Sequence, residues 1–193
     1  MGKGRLEAFS DGVLAIILTI MVLEMKTPAG DDLAALRPLM PVFMSYVLSF
    51  VYIGVYWSNH HHLLHACRRV SGPVLGANLL LLFWLSLLPL ATGWMGRHPT
   101  AVTPTVVYGV VLLLSGGAYR LLEAMIVRAD GPGSVLGRAV GSDRKGIVSL
   151  LLYAGAIAVA IVSPRVAQGL YTVVALMWLV PDRRIERALR EAA

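Results

Sequence analysis

The sequence predicts an all-α integral membrane protein with six transmembrane helices. Three observations carry that prediction: 57% of the 193 residues are hydrophobic and only 15% charged, the mean hydropathy is +0.71, and apolar stretches recur along the whole chain between polar or helix-breaking segments. A soluble domain of this length cannot bury so much apolar surface. A hydrocarbon core of about 30 Å is crossed by about 20 helical residues rising 1.5 Å each, and several of the stretches have that length.

The spans follow in order. Leu6–Met25 is the first; Lys3 and Arg5 ahead of it give the look of a secretory leader, but Asp11 interrupts the apolar run and no small-x-small cleavage site follows, so the segment is expected to be retained. Thr27-Pro28-Ala29-Gly30 breaks the chain before Leu39–Trp57, and Ser71-Gly72-Pro73 before Val74–Met95. His98-Pro99 separates that span from Thr103–Tyr119, after which Asp130-Gly131-Pro132-Gly133 opens a segment, Asp130 to Lys145, with room for a short interfacial helix. Gly146–Val162 and Val166–Val180 are short, yet Ser163-Pro164-Arg165 between them reads as a tight turn and helix start, giving a helical hairpin rather than one over-long helix. No internal repeat or separate soluble stretch stands out, so residues 1–193 are expected to form one membrane domain.

Charge placement sets orientation, because loops rich in Lys and Arg stay cytoplasmic. Of the 17 such residues, only Lys26, Arg37, Arg97 and Arg165 fall on the side opposite the termini. A multi-pass protein of the cell membrane with both termini cytoplasmic is the consequence. The net charge of +6 is spread in short runs between spans, which excludes a nucleic-acid face. A single cysteine, Cys67, excludes an internal disulfide, and no Cys/His spacing matches a structural zinc site.

Several residues are candidates for chemistry. Asp11 lies within the first span, where an ionised carboxylate costs up to about 3 kcal/mol unless it is paired or faces water; an interfacial, solvated Asp is the alternative. Asn59-His60-His61-His62 and His65 close the second span at the same depth, so Asp11 and His60 are expected to lie within reach of each other. His61 and His65 share a helix face at i, i+4, a metal-ligand spacing, but a closed zinc site needs further ligands, so packing or interfacial hydrogen bonding is the plainer reading and no metal is expected. Thr105-Val106-Val107-Tyr108-Gly109 has the outline of a TVGYG potassium filter, but Val replaces the central Gly and the run continues into Val110–Leu114. A β-branched residue resists the left-handed backbone that Gly permits, so a plain helix is expected there. Trp57, Trp94 and Trp178 read as interfacial anchors and Gly109, Gly116 and Gly117 as close-packing positions. No nucleophile-base pair, phosphate-cradling Gly loop or paired carboxylates appear, so the sequence supports no enzyme and no cofactor.

Arg5-Leu6-Glu7-Ala8-Phe9-Ser10-Asp11-Gly12 resembles the R-x-x-x-F-S-D signature of the transmembrane protein 175 family of potassium channels. Tyr56-Trp57-Ser58-Asn59-His60-His61, Asn78 to Trp84 and Trp178-Leu179-Val180-Pro181-Asp182 also resemble its bacterial branch, so the likeness covers nearly the whole chain. It implies a homotetramer of six-helix subunits around a central potassium-permeable pore that is lined by the first helix and lacks a TVGYG filter. Within that resemblance the apolar constriction falls on Ile16, Ile20 and Leu23 and the threonine layer on Thr19, with Ile16 the narrowest ring. Those positions share one helix face, but periodicity alone cannot select it, since nearly every residue from Val13 to Leu23 is apolar. The resemblance also makes Arg5, Phe9, Ser10, Asp11 and His60 a network that packs the first helix against its neighbours.

Glu24, Asp31 and Asp32 would lie at the outer mouth, either concentrating cations or merely solvated. The competing function is a proton-coupled secondary transporter with Asp11 and His60–His62 as relay, although no inverted repeat with broken helices is visible. A third reading is a membrane scaffold or membrane-bound enzyme whose basic tail, Arg183 to Arg190, docks anionic lipid or a partner.

Overall fold

The computed structural model describes residues 2–131, 133, 134, 136, 137 and 143–179. Its helices are α1 (Lys3–Leu23), a short 3-10 helix (Leu33–Leu39), α2 (Met40–Ala66), α3 (Gly72–Ser86), α4 (Leu88–Arg97), α5 (Val102–Asp130), α6 (Arg144–Ala160) and α7 (Pro164–Leu179). Because α3 and α4 meet at Leu87 and form one broken span, Gly72–Arg97, the helices make six passes, and no strand occurs among the described residues. Four passes are long and apolar enough to cross a membrane by themselves. The hairpin helices α6 and α7, at 17 and 16 residues, are shorter.

Proline and short polar side chains place the helix starts. Pro41, Pro73 and Pro89 lie in the first turns of α2, α3 and α4, and Pro164 begins α7, where a missing N–H costs no intrahelical bond. Asp143 caps α6 by accepting the Gly146 N–H at 2.9 Å, and Asp32 caps the 3-10 helix through the Ala35 N–H at 2.9 Å. Gly131, at φ 93°, ends α5 in a backbone conformation that side chains disfavour.

The structure lengthens two of the expected spans and divides a third. Helix α2 continues past Trp57 to Ala66, and α5 past Tyr119 to Asp130. Apolarity marks where a helix meets lipid, whereas backbone hydrogen bonds carry it beyond the bilayer until a breaker intervenes. The third span breaks before Pro89, which cannot donate to the carbonyl of Leu85. Thr105–Gly109 lies inside the unbroken α5, with Thr105 and Tyr108 fully buried, as a plain helix. The proposed interfacial helix between Asp130 and Lys145, Val180 and the basic tail lie wholly or mostly outside the described residues.

Helix α1 packs on α2, α3 and α4; α5 packs on α3, α4 and α6; and α7 closes the bundle against α6, α2 and α5. Two glycines set helix separations. A Cβ on Gly109 would collide with the Tyr171 hydroxyl, and one on Gly96 would fall 2.8 Å from the Val42 Cα. Polar side chains tie the passes together: among buried hydroxyls Ser49 bonds Thr92 at 2.7 Å and Tyr108 at 2.9 Å and Tyr52 donates to the Tyr171 carbonyl at 2.5 Å, while the half-buried Gln168 amide donates to the Pro99 carbonyl at 2.9 Å. Bonds of this kind fix helix pairing where apolar packing alone gives little direction.

Candidate pore helix and its anchoring network

Helix α1 presents two unlike faces. Leu6, Ser10, Leu14, Ile17 and Met21 recur at steps of three or four and are buried against the bundle. On another face Ile16, Ile20 and Leu23 remain 58%, 42% and 80% exposed, and Thr19 beside them is exposed too. The structure therefore groups the four positions that the resemblance singles out on a side turned away from the subunit's own core. The Thr19 hydroxyl donates to the Ile16 carbonyl at 2.8 Å, which leaves its oxygen lone pairs available on that open side.

A buried polar chain holds the opposite side. The Asn78 amide of α3 donates to Ser10 Oγ at 3.0 Å, and its Oδ1 meets His60 Nε2 of α2 at 2.7 Å. An amide oxygen only accepts, so in this arrangement the His60 proton is on Nε2. The Ser10 hydroxyl donates in turn to the Leu6 carbonyl at 2.9 Å, which satisfies the chain. Asp11 does not pair with His60: its Oδ1 accepts from the Trp57 indole at 3.0 Å. Near the start of α1, Lys3 Nζ donates to the His65 carbonyl at 2.7 Å, so α1 and α2 run antiparallel with Lys3 beside His65 and Asp11 beside Trp57.

Arg5 and Phe9, expected in the same network, instead lie on the exposed side of α1. Asn78 is the residue that sequence reasoning left without a role. A lone amide within the apolar run of α3 was the available signal, because a polar side chain in hydrocarbon is retained where it is hydrogen-bonded. Trp57 likewise reads as an anchor at a span end, but α2 continues beyond it and its indole reaches Asp11.

The ends of the bundle carry further polar contacts. Glu24, at the far end of α1, faces Arg97 of α4 at 3.7 Å rather than standing as an isolated mouth charge. At the other end the Asp130 carboxylate accepts the N–H groups of Arg68 and Arg69 at 2.7 and 3.0 Å, and Arg120 pairs with Asp143 at 2.5 Å. Burial, and then the Asp130 carboxylate, push the Cys67 thiol up from its ordinary pKa. His61 and His65 stack with ring centroids 6.2 Å apart and planes 15° from parallel. Among the described residues no group of three or more His, Cys, Asp or Glu is arranged to hold a metal ion.

Comparison with known proteins decides the family. Residues 5–89 match the family described as endosomal/lysosomal potassium channel TMEM175. A protein of Chryseobacterium sp. (strain P1-3), named a potassium channel, is 51% identical over 191 residues, covering 99% of this chain and 100% of that one. This chain belongs to the TMEM175 family. A human TMEM175, named an endosomal/lysosomal proton channel, is 35% identical over 114 residues, 51% of this chain but only 23% of the human protein. The crystal structure of a TMEM175 homolog from Chamaesiphon minutus, titled a lysosomal potassium-selective channel, superposes with a TM-score of 0.80 at 28% identity, covering 92% of this chain and 96% of that one. Membership in the TMEM175 family and the set of long apolar helices together make this a multi-pass membrane protein.

Proposed function

We propose that four copies of this chain surround a central potassium-permeable pore lined by α1, each contributing a single six-pass domain over residues 1–193. The observation that carries this reading is the exposed face of α1: Ile16, Thr19, Ile20 and Leu23 form one stripe that the subunit's own core leaves uncovered. The number four comes from the family resemblance, and closed cyclic symmetry is consistent with it, since one such helix per subunit then encloses an axis. Ile16 forms the narrowest ring and Ile20 and Leu23 extend the apolar constriction, which resists ion passage by excluding water. Thr19 offers a hydroxyl oxygen to a partly dehydrated cation. Ser10, Asn78, His60, Asp11 and Trp57 hold the other sides of the helix and keep this stripe aimed at the axis.

The termini and the loops rich in Lys and Arg are cytoplasmic in this reading. Lipid covers the outward apolar side chains of the remaining helices, Phe83, Leu151 and Val162 among them. Potassium is the permeant ion, no cofactor or nucleic acid is required, and the activity is conduction rather than catalysis. The naming of relatives as potassium channels supports this over a proton-coupled transporter. So does the engagement of two of the groups that a relay would use, Asp11 by Trp57 and His60 by Asn78.

The test is ion flux into liposomes containing the purified protein, with potassium or sodium as the cation and Ile16→Asn beside the wild type. Dissipative, potassium-preferring flux that rises in Ile16→Asn is expected. Absence of flux in both forms, or flux strictly tied to a proton gradient, overturns the channel reading.

A further inference from the structure

His61 and His65 lie one turn apart on α2, both exposed on the surface of the subunit. Their rings are close to parallel, 15° apart at a centroid separation of 6.2 Å, and among the described residues neither ring makes a hydrogen bond. This distinguishes them from His60, whose Nε2 is committed to Asn78. Two imidazoles at i, i+4 on one helix face are the ligand spacing that metal-binding helices use. With metal–nitrogen bonds of about 2.0–2.1 Å, the two nitrogens must approach to about 3 Å, a closure that exposed rings on adjacent turns reach by side-chain rotation.

From this geometry we propose that His61 and His65 form an open two-imidazole site for a divalent first-row transition-metal ion of borderline softness. Copper, nickel and zinc fit, because imidazole suits all three, with affinity greatest for Cu²⁺; calcium and magnesium do not, because they require oxygen ligands. Water completes the coordination sphere, since no third protein ligand is arranged there among the described residues. The ion is therefore exchangeable rather than structural, and the bundle is complete without it. His62 meets the His61 ring edge-on, 69° from parallel at 5.6 Å, and as the next residue along the helix it lies about 100° round from His61 rather than at the i, i+4 spacing that His65 has. The site adjoins the start of α1, where Lys3 holds the His65 carbonyl, so occupancy is felt at the contact between α1 and α2. This inference does not depend on the conduction reading.

Trp57 supplies a built-in reporter, with its ring centroid 6.4 Å from that of His61. Purified protein without an affinity tag is titrated with Cu²⁺ while tryptophan emission is recorded, and excess chelator is then added. Saturable quenching reversed by the chelator is expected, and it disappears in Trp57→Phe. His61→Gln and His65→Gln each weaken the apparent affinity by roughly tenfold or more, since loss of a direct ligand exceeds the effect typical of its supporting groups. His62→Gln leaves it unchanged. Both ligand positions are exposed, so circular dichroism of these variants matches the wild type. Quenching that survives in His61→Gln and His65→Gln, or that His62→Gln removes equally, overturns the assignment, as does the absence of saturable quenching in the wild type.

Discussion

Ser10 of α1 and Asn78 of α3 share a buried hydrogen bond of 3.0 Å, and the same Asn78 side chain reaches His60 of α2 at 2.7 Å. One amide therefore joins three helices. Asn78→Leu leaves Ser10 and His60 buried with a bond lost from each, and this is expected to destabilise the subunit by roughly 1–3 kcal/mol. The next residues along α3, Leu79 and Leu80, are apolar and exposed, so neither can take over the contact. Thermal unfolding in detergent reads the loss directly.

The two faces of α1 separate by neighbouring substitutions. Ile16→Asn, on the exposed stripe, is expected to raise potassium flux with little loss of folded protein. Ile17→Asn puts an amide into the buried stripe and costs roughly 2 kcal/mol or more, lowering folded yield with no gain in flux per folded protein. Liposome flux normalised to protein recovered after size exclusion distinguishes them. Equal flux gains from both would mean that the exposed stripe has no special relation to the permeation path.

Gly109 admits the Tyr171 hydroxyl to the surface of α5. Gly109→Ala requires a shift of the Tyr171 ring and of Ile157, whose side chain lies 2.8 Å from the added carbon, and is expected to cost about 1–3 kcal/mol. Gly117→Ala meets no atom within 4 Å and is expected to be neutral or to stabilise by up to about 1 kcal/mol through helix propensity. Melting temperatures of the two variants provide the comparison.

Cys67 is buried where α2 ends, its thiol donating to the Arg69 carbonyl at 3.4 Å. Its raised pKa means that less thiolate is present at any given pH than for a free cysteine. Alkylation by a maleimide at about pH 8 is expected to be slow in the folded protein and to speed up on denaturation, since an ordinary thiol has a pKa of about 8.5. Asp130→Asn removes the second cause of the shift as well as the carboxylate that accepts from Arg68 and Arg69, and is expected to speed the reaction of the folded form. Mass spectrometry over time measures both.

Much of the architecture is legible in the residues themselves. The six passes, their punctuation by Pro28, Pro73, Pro99 and Pro164, and the hairpin turn at Ser163-Pro164 follow from local transfer energies and from proline's missing N–H. Extents were less legible. Helices α2 and α5 run on through Asn59–His65 and Arg120–Asp130 because backbone hydrogen bonding does not stop where lipid does.

The amino acids alone dictate the solvent: a chain with this apolar content and spacing of breakers crosses a bilayer, whatever its helices then do. The direction in which α1 turns belongs instead to the packed bundle. From Val13 to Leu23 nearly every side chain is apolar, so each face satisfies the bilayer equally and no period selects one. Packing on α2, α3 and α4 chose Leu14, Ile17 and Met21 for the core and left Ile16, Ile20 and Leu23 outside. The same packing gave Asp11 to Trp57 and His60 to Asn78, because hydrogen bonds between helices depend on their rotation and depth, which no single span encodes.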